Sequence, residues 1–440
     1  MTSTEEQPEP ERHRRLQPFA SFQYQGYRWL WATNVTYGAV LGAQSLLISW
    51  LIIEDLNRTY NPGYALLAGS LPVLLLALPA GRMADRGDRR LLLLGSHVAM
   101  ALVLLLTAVL AVGDLLSLGL TFLLMGLGAA AAAIGQPVRL ALIPALVPRE
   151  RILNANVLGD LGLALGALVG SLVTTFVASQ WGAGPAFLVL TITPFIGAVF
   201  VIRLYVPPRE AEAEKGEGVE GGSLGGGVGE GFLFLWGKVE LRLLFVLLGL
   251  AVFLAPWLAL NFAAIEEQLD LSVRAWALLG LLSGLGLLVS TIALAFVFRI
   301  RRAGAWYGVL LIASAVVAGG IWFSSRYALT GFLMALSGLA LGVRGLLVVT
   351  LVQSHTPIAV MGRVMGIYVA LTAGASLLAQ PITRAGQFLL QDDGWIVCSA
   401  IVLVGVVAVI LWRNPGLRRM PSHPEPESMG DEAAAEPGPG

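Results

Sequence analysis

The sequence predicts an all-α membrane protein whose twelve transmembrane helices form two pseudo-repeated six-helix bundles. Three observations lead there: an apolar composition, twelve long hydrophobic segments, and positive charge gathered on one side of them. Of the 440 residues, 56% are hydrophobic and 13% charged, with a mean hydropathy of +0.77. Soluble domains carry about 25% charge. In water, a fold of this size would leave much of its surface apolar; a bilayer removes that difficulty.

A helical crossing takes about 20 residues. Segments of that kind occupy 30–53, 63–83, 91–112, 116–138, 152–178, 184–205, 243–265, 275–298, 304–323, 328–352, 362–387 and 394–413. They are continuously apolar and rich in Leu, Ala and Gly, whereas the strands of a membrane barrel alternate in polarity. The arm at 1–29 is polar, ends in basic residues and has no signal-peptide layout. With twelve crossings both termini share a side, and Lys and Arg identify that side as the cytoplasm. They gather in the arm, in 82–90, 139–151, 203–242 and 299–302, at Arg363, and in 413–419. The opposite side holds Arg58, Arg274, Arg326 and Arg384. The expected location is the cell membrane. A formal net charge of +0 says nothing about partners.

The stretch 206–242 is rich in Glu and Gly and reads as a flexible cytoplasmic linker, with Phe232 to Trp236 at the membrane surface. It joins an N-terminal bundle at 30–205 to a C-terminal bundle at 243–413. The tail at 414–440 reads as disordered. The halves repeat one another. Tyr64-Ala-Leu-Leu67 opens the second segment and Trp276-Ala-Leu-Leu279 the eighth, while Pro148 and Pro357 each precede a loop and a Gly-bearing segment. Repeated halves on a linker are the build of large secondary transporters.

Cys398 is the single cysteine, and the histidines at 13, 97, 355 and 423 have no metal-ligand spacing. No metal or cofactor is expected. His97 reads as a polar packing residue. No Walker loop or catalytic Ser/His/Asp motif appears, so an enzyme and an ATP-driven pump are both disfavoured. No nucleic acid is expected as a partner.

The loop after the second segment reads Gly81-Arg-Met-Ala-Asp85-Arg86-Gly87-Asp88-Arg89-Arg90. Gly81 lets helices approach closely, and Asp85 at a helix end can pair with Arg or with the positive N-terminus of another helix. A contact of this kind can form in one state and break in another. The loop resembles the signature loop of the major facilitator superfamily, with Asp88 where that pattern usually has Gly. Its form is similar to the branch of drug and siderophore exporters that includes macrolide efflux proteins and the enterobactin exporter. Tyr27-Arg28-Trp29-Leu30-Trp31 and the stretch from Gln136 to Asn156 resemble the same branch, and the resemblance covers about 19–413. In the second half Arg299-Ile-Arg-Arg302 keeps the basic residues and lacks the acid. Gly162, Gly166 and Gly170 make a smooth stripe that packs a neighbouring helix, with Gly280 and Gly284 as expected partners. The stripe also resembles the antiporter motif of drug exporters, with Ala167 in place of its Pro and Ser171 in place of its second Gly.

The resemblance implies a carrier that exports an amphipathic small molecule, drug- or siderophore-like, in exchange for protons by alternating access. Gly81, Asp85, Arg86, Arg89 and Arg90 would form the gating loop. Charges inside a membrane are costly and default to function. Asp160 and Arg344 each lie about eight residues from a cytoplasmic end. They are the coupling candidates, either paired or facing a cavity. Asn34, Gln44, Gln136, Arg139, Asn261, Gln353 and Gln380 are candidates to line it. Glu54, Asp55, Glu266 and Glu267 form acidic mouths on the outer side, and Pro256, before Trp257, should kink the seventh segment. Two other readings stay open: a lysophospholipid or metabolite transporter without proton antiport, and a membrane scaffold or sensor that transports nothing.

Overall fold

A computed structural model describes residues 18–52, 62–206, 229–252, 273–297 and 300–422. Long helices dominate the described chain. They are α1 Gln25–Trp50, α2 Pro62–Arg86, α3 Arg89–Val112, α4 Leu118–Leu146, α5 Ile152–Trp181 and α6 Ala183–Arg203. A short α7, Gly229–Gly237, precedes α8 at 239–252. There follow α9 Val273–Ala295, α10 Ala303–Trp322, α11 Tyr327–Ser354, α12 Met361–Arg413 and α13 Pro415–Arg419. Among the described residues nine helices are long and apolar enough to cross a membrane. Residues 207–228 of the linker and 423–440 of the tail lie outside the described residues, as do Asn261, Pro256, Trp257, the four acidic residues of the mouths and the side chain of Gln380, while the described parts of the linker and tail are helical at 229–237, 239–242 and 415–419.

The eleventh and twelfth predicted segments are one helical run of 53 residues. Straight, at 1.5 Å per residue, it would be about 80 Å long, more than two bilayer cores. Its two ends nevertheless lie at one face. Just before its start, the Ile358 carbonyl accepts from Arg89 Nη2 at 3.3 Å. Just beyond its end, Ser422 N donates to the Ile300 carbonyl at 3.0 Å. The 300–302 and 355–360 loops share a face, because α10 and α11 run out and back through the short turn at 323–326. The chain therefore reverses within α12, which makes two crossings, as the sequence predicts.

The repeat is visible in local geometry. Pro148 (φ −61°, ψ 156°) and Pro357 (φ −63°, ψ 145°) both hold extended backbone. Each starts a single 3-10 turn, Arg149–Arg151 or Ile358–Val360, that runs directly into α5 or α12. Alternating helix direction brings Arg86, Arg89, Arg149, Arg151, Arg203, Arg302 and Arg363 to one end of the molecule, here termed the Arg-rich face.

Small residues set the closest helix pair. The stripe on α5 lies against α1 and not against α9, which corrects the expected partner. Gly162 sits under Trp31, whose Nε1 donates to the Leu158 carbonyl at 2.8 Å. A Cβ on Gly166 would overlap the Val35 carbonyl oxygen, and one on Gly170 would lie 2.6 Å from the Ala39 carbonyl oxygen. Around Gly280 and Gly284 a Cβ would meet no atom within 4 Å. Beside the stripe, Leu165, Leu168, Leu172 and Phe176 are exposed and make the lipid-facing side of α5. Gly166→Val forces backbone apart at the tightest point, so we expect loss of monodisperse protein on size-exclusion chromatography, while Leu168→Ala on the lipid side elutes as wild type.

One boundary matters for function. The sequence ends the fourth segment at 138 and places Arg139 in a loop, whereas α4 continues through Pro137 and Pro144 to Leu146. Neighbouring helices in a membrane protein can satisfy the backbone that proline frees. Arg139 is consequently a second intramembrane cation.

Candidate gate and central polar site

The two halves meet along the Arg-rich end. Gly81 of α2 crosses Gly362 and Gly366 of α12 so closely that a Cβ on Gly81 would overlap the Gly362 carbonyl oxygen. That approach carries Asp85, 5% exposed, onto the first turn of α12. Its carboxylate accepts from Gly362 N at 2.6 Å, Arg363 N at 2.9 Å and Arg363 Nε at 2.9 Å. The anion thus satisfies orphan N–H groups and meets the positive end of the helix dipole, besides forming an ion pair. Arg363 also donates to Glu230 of α7. On α7, Phe232 and Trp236 stack with centroids 5.3 Å apart, and both are exposed, as at a membrane surface.

The rest of the loop has divided roles. Asp88 stands where the superfamily pattern has Gly because it caps α3, accepting from Arg90 N at 2.8 Å and Leu91 N at 3.2 Å. Arg89 is buried and, besides Ile358, bonds the Ala84 carbonyl at 3.2 Å. Arg90 ties α3 to α6 through the Val201 and Ile202 carbonyls. Arg86 is exposed.

A second contact joins α5 to α11. Asn156 Nδ2 donates to Gln353 Oε1 at 2.6 Å and Thr350 Oγ1 at 3.0 Å, and Gln353 Nε2 donates to the Leu140 carbonyl of α4 at 2.9 Å. Gln353, expected to line a cavity, is instead 1% exposed and locked between the halves. Leu153 and Val157 pack beside it on Leu294 and Leu346. Asn156 and Thr350 carry this contact although neither stands among the site residues predicted from the sequence. The available signal was the i, i+3 spacing of Thr350 and Gln353, which puts both on one side of α11.

Asp160 lies one turn beyond Asn156 on the same face of α5. Its side chain is exposed and accepts no hydrogen bond among the described residues. Yet Tyr27 of α1, Arg139 of α4 and Tyr368 of α12 all stand within its electrostatic reach. An exposed carboxylate flanked by three other helices borders internal space and not lipid. The cation within its electrostatic reach is Arg139 and not Arg344, so of the two expected arrangements a pairing with Arg344 is not the one seen. Arg139 is held by Asn34, with Nη1 3.1 Å from Oδ1, and by the Tyr37 ring, whose centroid is 4.9 Å from the guanidinium carbon. Arg344 is buried beside Tyr307 and Tyr368 in the other half.

Of the other amides, Gln136 is half-buried one turn before Arg139, and Gln44 is half-buried against α4, where its Nε2 would be 3.2 Å from a Cβ on Gly128. Gln380 lies on α12. His97 is buried with Nδ1 2.9 Å from the Leu93 carbonyl, and its Nε2 is buried without a hydrogen-bond partner among the described residues. No group of His, Cys, Asp and Glu among the described residues could hold a metal.

Comparison with known proteins agrees with this architecture. The chain is 25% identical over 407 residues to the multidrug efflux pump Tap of Mycolicibacterium fortuitum, covering 88% of this chain and 95% of that protein. Solved structures share the fold at low identity. The human organic anion transporter MFSD10 (TETRAN) is 14% identical with a TM-score of 0.66, over 88% of this chain and 97% of that one. The E. coli fucose:proton symporter FucP is 10% identical with a TM-score of 0.67, over 88% and 98%. A bacterial homologue of the iron transporter ferroportin, in an outward-facing state, is 16% identical with a TM-score of 0.65, over 89% and 99%. Residues 30–380 match the Major Facilitator Superfamily. With its helical membrane architecture and the joined ends of its two halves, the chain belongs to that superfamily of transporters.

Proposed function

We propose that this chain is a secondary active exporter of the plasma membrane, moving an amphipathic small molecule, drug- or siderophore-like, in exchange for protons by alternating access. In this reading the Arg-rich face and both termini are cytoplasmic, and the joined contacts of Asp85 and Asn156 make the present form outward-facing. The observation that carries it is Asp160, an exposed carboxylate on the inner face of α5, one turn beyond the joined ends. A single carboxylate that holds either a proton or a polar cargo makes the two compete, and competition at one site is the requirement for exchange. Arg139 supplies a fixed counter-charge. Gly81, Asp85, Arg86, Arg89 and Arg90 act as the gate, opened when the halves rock apart. Similarity to a multidrug efflux pump supports the direction and the cargo class.

The test is uptake into inverted vesicles under an imposed pH gradient, with a panel of dyes, macrolides and siderophores. Uptake that requires the gradient and collapses with a protonophore is the expected result. Uptake of the same cargo without a gradient would sink the exchange reading.

One observation favours a second reading. A groove of about 600 Å³ runs between α2, α8 and α12, lined by Leu74, Leu78, Phe232, Leu371 and Leu378 among others. Its apolar walls suit an acyl chain, so a lysophospholipid cargo without proton exchange is the alternative. Gradient-independent transfer of a fluorescent lysophospholipid would establish it.

A further inference from the structure

Arg344 sits on α11 with Leu347, Val348 and Leu351 at i+3, i+4 and i+7. Those three pack in the core of the C-terminal half, where Tyr307 of α10 is buried and Tyr368 of α12 packs against it. The guanidinium therefore faces the inside of its own half, away from Thr350 and Gln353, which meet α4 and α5. It is 8% exposed, and Tyr307 is 0% exposed. Arg344 Nη1 and the Tyr307 hydroxyl are both buried, and neither has a hydrogen-bond partner among the described residues. Tyr307 and Tyr368 are the electrostatic neighbours of Arg344, and Tyr368 is also within reach of Asp160, so the cluster adjoins the central space. No carboxylate pairs with Arg344 among the described residues. Arginine does not shed its proton, and a buried charge without a counter-charge is strongly destabilising.

We propose that Arg344, Tyr307 and Tyr368 form a binding site for a small monoanion, either a free halide or the carboxylate of a larger molecule. The guanidinium supplies the charge and planar N–H donors, and the phenol hydroxyl supplies a further donor from α10. One cation balances one negative charge. A divalent anion would keep an uncompensated charge in an apolar surround, so sulfate is excluded. The site does not depend on the direction of transport or on the coupling ion.

The experiment is the thermal unfolding midpoint of purified full-length protein in lipid nanodiscs. Chloride, acetate, benzoate and sulfate salts would be compared at matched ionic strength. A ligand that binds only the folded state raises the midpoint. Chloride is expected to raise it by several degrees relative to sulfate if the site takes a free ion. Benzoate alone is expected to raise it if the site takes the carboxylate of a larger molecule. Arg344→Gln should abolish the response. Tyr307→Phe, which keeps the charge and the packing, should raise the half-saturating concentration at least about tenfold, the worth of one hydrogen bond to an anion. An equal midpoint in all four salts would overturn the proposal, and so would a Tyr307→Phe protein that responds as wild type.

Discussion

Asp160→Asn is expected to cut gradient-driven uptake into inverted vesicles at least about tenfold, the equivalent of some 1.4 kcal/mol of lost coupling, while leaving counterflow of unlabelled against labelled cargo in place. The amide copies the size and shape of a protonated carboxyl, so the packing of α5 on α1, set by Gly162, Gly166 and Gly170, is undisturbed. What the amide cannot do is exchange a proton. Because the Asp160 side chain makes no hydrogen bond among the described residues, its substitution strands no donor. Retained counterflow with lost gradient response separates coupling from folding. Asp160→Glu, which keeps the charge one methylene farther out, should recover part of the gradient response. If Asp160→Asn vesicles still respond to the gradient as wild type, the coupling carboxylate lies elsewhere.

The sequence made the crossings legible because each lipid-facing helix needs about 20 apolar residues whatever it packs against. The loop from Gly81 to Arg90 was legible for a related reason: Gly81 and Asp85 contact the backbone of a crossing helix, which requires a small residue and an anion at fixed spacing. The site was harder to read wherever partner identity mattered. Arg139 looked like a loop residue because Pro137 and Pro144 flank it and interrupt the apolar run, yet α4 passes through both. That boundary set Arg139 only among the cavity candidates and left Arg344 as the intramembrane cation to weigh beside Asp160, although Arg139 is the one within its electrostatic reach. The glycine stripe was found and its partner was not, since small residues show that a helix is close without showing which one. Gln353 reads the same whether it lines a cavity or bridges two halves, and only the position of Asn156 across from it decides.

Asp85→Asn should open the Arg-rich face. Asp85 draws three donors from the first turn of α12 onto one carboxylate, and two of them are backbone groups that have no other partner in the helix. Hydrogen bonds to a charged acceptor are worth about 1.5–3 kcal/mol. An amide keeps one weak acceptor and turns an N–H toward other N–H groups, so a loss of about 2 kcal/mol is a fair expectation. That corresponds to roughly a 30-fold change in the ratio of closed to open forms. Arg363 would keep Glu230, so α7 stays tethered and the change is confined to the junction of α2 with α12. Spin labels at Glu150→Cys and Arg302→Cys, exposed positions on the same face but in different halves, would report it in a Cys398→Ser background. Wild type should give a single short distance, and Asp85→Asn a second, longer population. Gly81→Val should produce the same shift by a different cause, because its side chain would overlap the Gly362 backbone only when the face is closed. A distance distribution unchanged by either substitution would mean that the closed face is held by Asn156 and Gln353 alone, and that the loop from Gly81 to Arg90 packs helices without gating them.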